Sequence, residues 1–122
     1  MNKNRKILYL DDEFLNLRLF EMTFSKNHTV LTASDGIEGL EVLAVNPEIA
    51  IVISDMKMPN MNGYEFVTRA KEKYPNIMFA ILSGYEITEE LSVAMKKGVI
   101  SKYFNKPFNV REIEAFLANS GE

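Results

Sequence analysis

Cysteine is absent from the 122-residue chain, and histidine occurs once, as His28. The first absence excludes disulfides, zinc-thiolate centres and cysteine nucleophiles. The second excludes a multi-histidine metal site. No apolar run approaches the roughly 18 residues of a membrane span. The basic stretch Met1–Lys6 is followed by only Ile7–Leu10, too short for a signal-peptide core. The net charge is −3, without the positive excess that a nucleic-acid surface needs. These absences point to a soluble, cytoplasmic protein with no nucleic-acid partner and no membrane insertion. A chain of this length is one domain by default, here residues 1–122. Such a domain buries roughly two thirds of its unfolded surface and needs no covalent staple.

What is present is a strict alternation. Ile7–Leu10 is a short apolar strand that stops at Asp11-Asp12-Glu13. A helix over Phe14–Lys26 follows, with Leu17, Phe20 and Phe24 on one face. Thr29–Ala33 is a second strand. Ser34-Asp35-Gly36 starts a helix over Ile37–Val45, which Asn46-Pro47 ends. The third strand is Ile49–Ser54; its Ile49–Ile53 run is continuously apolar and rich in β-branched residues, as a strand buried on both faces is, and it leads into Asp55. After a loop through Pro59 and Gly63 come a helix over Tyr64–Lys73 and a strand over Ile77–Leu82 that ends at Ser83-Gly84. Thr88 caps a helix to Lys97, and Gly98 stops it. Lys102–Phe104 is the last strand, ending at Asn105-Lys106-Pro107-Phe108. Asn109 caps a final helix through Ala118, with Ile113, Phe116 and Leu117 inward.

Five strand–helix repeats imply an α/β fold with a parallel sheet covered on both faces. Right-handed crossovers leave few topologies. The flavodoxin-like doubly wound order 2-1-3-4-5 puts strands 1 and 3 on either side of the switch point, where ligands bind. Those two strands end in Asp11-Asp12 and Asp55, and Ser83 and Lys106 end strands 4 and 5 on the same edge. Three carboxylates gathered there repel one another and need a positive partner. Lys106 is one candidate and a divalent cation the other. Oxygen ligands without His or Cys favour Mg²⁺ or Mn²⁺ over zinc. A carboxylate beside a cation, an ammonium and a hydroxyl has the parts needed to accept a phosphoryl group.

On Asp11-Asp12, Asp55 with Pro59 and Gly63 beyond it, Ser83-Gly84 and Lys106-Pro107-Phe108, the chain resembles a response-regulator receiver domain of two-component signalling. The likeness is to the single-domain kind found among chemotaxis regulators, and it spans Ile7–Ala118. The resemblance implies that Asp55 is the phosphoacceptor, charged by a histidine kinase or phosphotransfer protein. It implies Mg²⁺ as cofactor, with Mn²⁺ as a substitute. Asp12 is then a direct ligand and Asp11 one mainly through water, with Asp55 and the Lys57 backbone carbonyl completing the set. It gives Ser83 a phosphoryl oxygen to hydrogen-bond, and Lys106 a pairing with Asp55 and the phosphate. Lys106-Pro107 is expected to be cis. Tyr103 is the aromatic switch coupled to Ser83, working on a face of helix 4, strand 5 and helix 5. Self-catalysed transfer and slow autodephosphorylation are implied, not turnover of a substrate. The molecule is expected as a monomer or a phosphorylation-induced dimer. Ser83 stands where the family more often has Thr, and the chain is one residue longer than usual between Gly98 and Tyr103.

Competing chemistry fits less well. A phosphatase of the haloacid dehalogenase type carries a second acid two residues after its nucleophile, and Lys57 is there instead. A flavodoxin-like cofactor binder needs a first loop that cradles phosphate, which Asp11-Asp12-Glu13 would repel. An unphosphorylated docking module of the same fold would lack the acids or the lysine. Among the remaining residues, Lys57 and Tyr85 sit two positions beyond Asp55 and Ser83, where the family tunes phosphate loss or where side chains are simply solvated. His28 reads as a surface residue between helix and strand. Met56, Met58 and Met61 read as filler or as contacts for a docking partner. Because the chain stops about one turn after the last helix, output falls to another protein, to phosphoryl relay, or to a longer chain of which this is the receiver.

Overall fold

The computed structural model describes residues 5–84 and 86–119. Its elements alternate throughout: β1 (Lys6–Leu10), α1 (Phe14–Phe24), β2 (Thr29–Ala33), α2 (Gly36–Val45), β3 (Ile51–Asp55), α3 (Gly63–Lys73), β4 (Met78–Ser83), α4 (Glu89–Lys96), β5 (Lys102–Asn105) and α5 (Val110–Asn119). The strands form one parallel sheet in the order β2-β1-β3-β4-β5. This is the flavodoxin-like topology expected from the alternation.

Two apolar layers sandwich the sheet. Ile7, Tyr9, Ile51, Ile53, Ala80, Leu82 and Phe104 face α1 and α5, where Phe20, Phe24, Ile113 and Leu117 meet them. Leu8, Leu10, Val52, Phe79 and Ile81 face the other way, onto Leu43 of α2, Phe66, Val67 and Ala70 of α3, and Leu91 and Ala94 of α4. The period of two within each strand produces this division. It also decides which side chains can reach the C-terminal edge together.

Polar side chains close the helix starts. Asp35 accepts from the Glu38 amide at 2.8 Å, Thr88 from the Leu91 amide at 3.2 Å, and Asn109 from the Glu112 amide at 3.0 Å. Asn62 and Glu65 form a reciprocal capping box at α3. Gly98, just past α4, has a φ of +78°, a conformation glycine adopts without a Cβ clash.

Several expectations are corrected. The third strand begins at Ile51, not Ile49, and includes Asp55 as its last residue, fully within the ladder through its pairing with Leu82. His28 is no surface residue: it is 6% exposed. Its Nδ1 accepts the Arg5 amide at 3.2 Å, and its Nε2 lies 3.3 Å from Glu114 on α5, so it ties the start of β1 to α5. That long-range partner left no trace in the residues around it. Met61 is buried against Gly36 and the α2–α3 core, unlike the half-buried Met56 and Met58, so it is not a contact for a partner. The outer face of α1 is apolar as well, with Phe14, Leu15, Leu19 and Met22 exposed. Tyr85 falls outside the described residues. No helix among the described residues is long and apolar enough to cross a membrane.

Gly63 fixes the loop that follows Asp55. Its amide donates to the Met56 carbonyl at 2.8 Å, and a Cβ there would collide with the Asp55 backbone oxygen. Because the colliding atom is backbone, no rotamer change relieves it. Gly63→Ala is therefore expected to destabilise the domain by roughly 1–3 kcal/mol. Urea denaturation would show this as a lower midpoint with an unchanged slope.

Candidate functional site

The register of the sheet assembles the site. Tyr9 pairs with Ile53 and Leu10 with Ser54, so the chain leaving β1 carries Asp11 alongside Asp55 at the end of β3. Asp11 is completely buried, Asp55 is 6% exposed, and Asp12 turns outward into solvent. Oxygens from the three carboxylates lie within 4.8 Å of one another. From the far side, the Lys106 amide donates to the Ser83 carbonyl at 2.9 Å, which continues the β4–β5 ladder by one residue. The cis Lys106-Pro107 bond follows, as expected. The Lys106 Nζ donates to Asp11 Oδ2 and to Asp55 Oδ2, each at 3.1 Å.

Asp11 has further donors. The Tyr9 hydroxyl donates to Oδ2 at 2.8 Å, and the Glu13 amide donates to Oδ1 at 3.0 Å. This second bond satisfies the backbone N–H of Glu13, the residue that opens α1 and makes no cap with its own side chain. Asp55 receives the Lys57 backbone N–H. Around these groups lies an open cleft of about 540 Å³, lined by Asp12, Glu13, Asp55, Lys57, Gly84 and Lys106.

Electrostatics follow from burial and from unequal charge. Burial pushes the Asp55 carboxyl above the usual carboxylate range, and the nearby Asp11 charge acts in the same direction. The Lys106 hydrogen bond and charge and the Lys57 amide oppose this without cancelling it. Burial acts to lower the Lys106 ammonium, but hydrogen bonds to Asp55 and Asp11 and their charges outweigh it, so Lys106 is held above its ordinary value. Burial first, and then the Asp11 charge and hydrogen bond, drive the Tyr9 phenol far above its usual range, so it stays a neutral donor.

The residues fit a hard divalent cation. Three carboxylates face one ammonium, which leaves two negative charges unmatched when all three are ionised. The donors are all oxygen, and one of the carboxylates is solvent-facing, as a partly hydrated Mg²⁺ or Mn²⁺ requires. Ser83 is buried at the end of β4, one residue past the Leu82 that pairs with Asp55. Tyr103 is not among the residues lining this cleft. On β5 it pairs with Ile81 of β4, and it is half-buried against the α4 side of the core. The residue missed in the sequence is Tyr9. Its signal was the alternation itself, since Tyr9 and Asp11 are two apart and project to the same face.

The family profile described as "response regulator receiver domain" matches residues 7–118. The chain belongs to the response regulator receiver domain family. It is 33% identical over 116 residues to a chemotaxis protein CheY homologue of Campylobacter jejuni, covering 92% of this chain and 88% of that protein. It is 28% identical to the hydrogenase transcriptional regulatory protein HoxA of Cupriavidus necator, of which it spans only 22%. A crystal structure of a receiver domain protein from Clostridium thermocellum superposes with a TM-score of 0.87 at 32% identity, covering 94% of this chain and 92% of that one. Receiver domains act in two-component signalling, accept a phosphoryl group on an aspartate and typically use Mg²⁺.

The charge imbalance sets two outcomes. A folded-state carboxyl raised above its unfolded value favours the protonated form, so its stability contribution is present at low pH and lost as pH rises through the folded value. Asp55→Asn should therefore raise Tm at pH 7 by a few degrees in the absence of divalent cation, and the gain should shrink as pH falls below the carboxylate range. Saturating Mg²⁺ should raise the wild-type Tm instead, since a ligand at 100 times its Kd adds about 2.7 kcal/mol. Asp12→Asn should lose most of that response in a thermal melt.

Proposed function

We propose that this domain is a phosphorylation-dependent response regulator in which Asp55 takes a phosphoryl group from a kinase or phosphotransfer-protein phosphohistidine. The observation that carries this reading is the Lys106 ammonium, held 3.1 Å from Asp55 beside two further carboxylates in an open cleft. An Asp55 oxygen attacks phosphorus in line with the P–N bond. That bond breaks with its electron pair going to the ring nitrogen, and the proton already on the other ring nitrogen lets the group leave as neutral imidazole. Lys106, fixed by Asp11 as well as Asp55, is placed to offset charge on the transferred oxygens. The Ser83 hydroxyl donates to one of these oxygens. Asp12, Asp11, Asp55 and the Lys57 carbonyl would hold Mg²⁺, or Mn²⁺ in its place. When bound, the cation supplies the positive charge that lets an anionic carboxylate approach an anionic phosphoryl group.

The product is a stored acyl phosphate, lost slowly by hydrolysis, and its purpose is conformational. Ser83 and the half-buried Tyr103 lie one residue to either side of the Leu82–Phe104 rung, because Tyr103 pairs with Ile81 and Ser83 with Asn105. Movement of Ser83 toward the phosphoryl group would free space on the α4 side, into which Tyr103 turns. The face of α4, β5 and α5 then changes for a downstream protein. Moving a 1:99 population to 99:1 needs about 5.5 kcal/mol of preference. Charge-assisted hydrogen bonds from Ser83 and Lys106 are of the right order. A cytoplasmic domain of residues 1–122, acting as a monomer or as a dimer on phosphorylation, is consistent with this role.

Acetyl phosphate with Mg²⁺ should label the wild type, while Asp55→Asn should show essentially no label and Lys106→Met a slowed reaction. Equal labelling of wild type and Asp55→Asn would contradict the assignment. The exposed Leu15 and Leu19 lie on α1, the helix that starts right after the cleft residue Glu13, and support a protein donor, because exposed apolar side chains are natural docking contacts. Leu15→Glu with Leu19→Glu should slow transfer from a phosphohistidine protein at least about 10-fold while leaving acetyl phosphate labelling unchanged.

A further inference from the structure

We propose that Tyr9 is a positioning residue of the acidic site, whose hydroxyl fixes the Asp11 carboxylate so that Oδ1 faces the divalent cation and Lys106 stays shared with Asp55. This rests on the reading of Asp11, Asp12 and Asp55 as a Mg²⁺ site, and no role for Tyr9 follows from that reading alone.

The case starts from the accepting capacity of one carboxylate, about two hydrogen bonds per oxygen. On Asp11 Oδ2, both places are taken, by the Tyr9 hydroxyl at 2.8 Å and by Lys106 Nζ at 3.1 Å. Oδ1 accepts the Glu13 amide at 3.0 Å and keeps one place. Asp11 can therefore turn only that remaining lone pair toward a cation or its water. Asp11 has no solvent exposure, so no water waits to replace a lost donor.

The donor is itself held rigidly. The Tyr9 ring stacks on Phe20 with centroids 4.1 Å apart and planes 8° from parallel. Phe20 is braced by Phe24 and Phe108. Tyr9 is 1% exposed and pairs with Ile53 in the centre of the sheet. A buried tyrosine hydroxyl needs some acceptor. Here the acceptor is the one oxygen that also binds the site's lysine, so the bond does more than satisfy the phenol. With the hydroxyl in place, Lys106 is not the sole donor to Asp11 Oδ2 and can lean toward Asp55 without stranding a buried charge. Without it, Asp11 would draw Lys106 toward itself and lose its fixed presentation of Oδ1. Outer-shell partners of metal-binding carboxylates commonly matter at the level of 10–100-fold in affinity.

The test is Mg²⁺ titration by isothermal calorimetry, with Mn²⁺ as a second probe, on wild type, Tyr9→Phe, Ile113→Val and Asp12→Asn. Ile113→Val loosens the same core layer without touching the hydroxyl and controls for stability alone. Tyr9→Phe should weaken Mg²⁺ by about 10-fold or more, and Ile113→Val should bind as wild type does. In the wild-type protein, the Tyr9 hydroxyl proton should exchange slowly in NMR spectra and shift as Mg²⁺ is added. Tyr9→Phe affinity within about twofold of wild type would overturn the proposal, as would equal weakening by Ile113→Val or a hydroxyl signal indifferent to Mg²⁺. If wild type binds Mg²⁺ and Asp12→Asn does not, the metal site stands whatever Tyr9→Phe does. If wild type binds none, both readings fall.

Discussion

One ammonium between two buried carboxylates is the contact on which this structure turns. Lys106 reaches back from the end of β5 to Asp11 after β1 and Asp55 at the end of β3. It therefore spans three strands that the chain visits far apart in sequence. Buried carboxylates without a partner would either protonate or unfold the edge of the sheet. With one ammonium for three acids, the edge is folded but still short of positive charge. That residual imbalance makes the site receptive to a divalent cation. It also keeps Lys106 divided between two partners, so its position can respond to charge placed on either.

The fold serves this contact in specific ways. Parallel pairing sets Asp11 beside Asp55 through the Tyr9–Ile53 and Leu10–Ser54 rungs. Gly63 lets the loop after Asp55 fold back closely enough for its amide to reach the Met56 carbonyl. The aromatic stack of Tyr9, Phe20, Phe24 and Phe108 packs behind Asp11 and makes that side of the site stiff. The opposite side is different: a side chain at Gly84 would meet open space, and the described residues 86–88 ahead of α4 belong to no strand or helix. A packed wall behind the acids and open space at Gly84 beyond β4 leave room for change on one side of the site only.

Much of this was legible in the sequence. Apolar runs such as Ile51–Ile53 that stop abruptly at a carboxylate gave the strand ends, and the strand–helix alternation gave the order of the sheet. Those two features together bring Asp11, Asp12, Asp55 and Lys106 to one edge. Boundaries were less clear: Ile49 and Ala50 are as apolar as β3 itself, yet the strand begins at Ile51, with Ala50 only bridging to Lys6 and Met78 at its edge. Features that depend on distant partners were not legible. His28 looked like a loop residue because its partners, the Arg5 amide and Glu114, lie on other elements. Tyr9 looked like one more apolar strand residue because only its hydroxyl, seen against Asp11, has a role. Periodicity put Leu17, Phe20 and Phe24 of α1 on its inner face, and they are inward, but it gave no sign that Phe14, Leu15, Leu19 and Met22 leave the outer face apolar as well.

The central claim is that the acidic edge stores a phosphoryl group on Asp55 and on no other carboxylate in the cluster. It is tested most directly by reducing the phosphorylated protein with borohydride and mapping the modified residue by peptide mass spectrometry. The account predicts conversion of the aspartate at position 55 to homoserine, with Asp11 and Asp12 unchanged. Modification of Asp11 or Asp12, or recovery of an unmodified position 55 from phosphorylated protein, would contradict it.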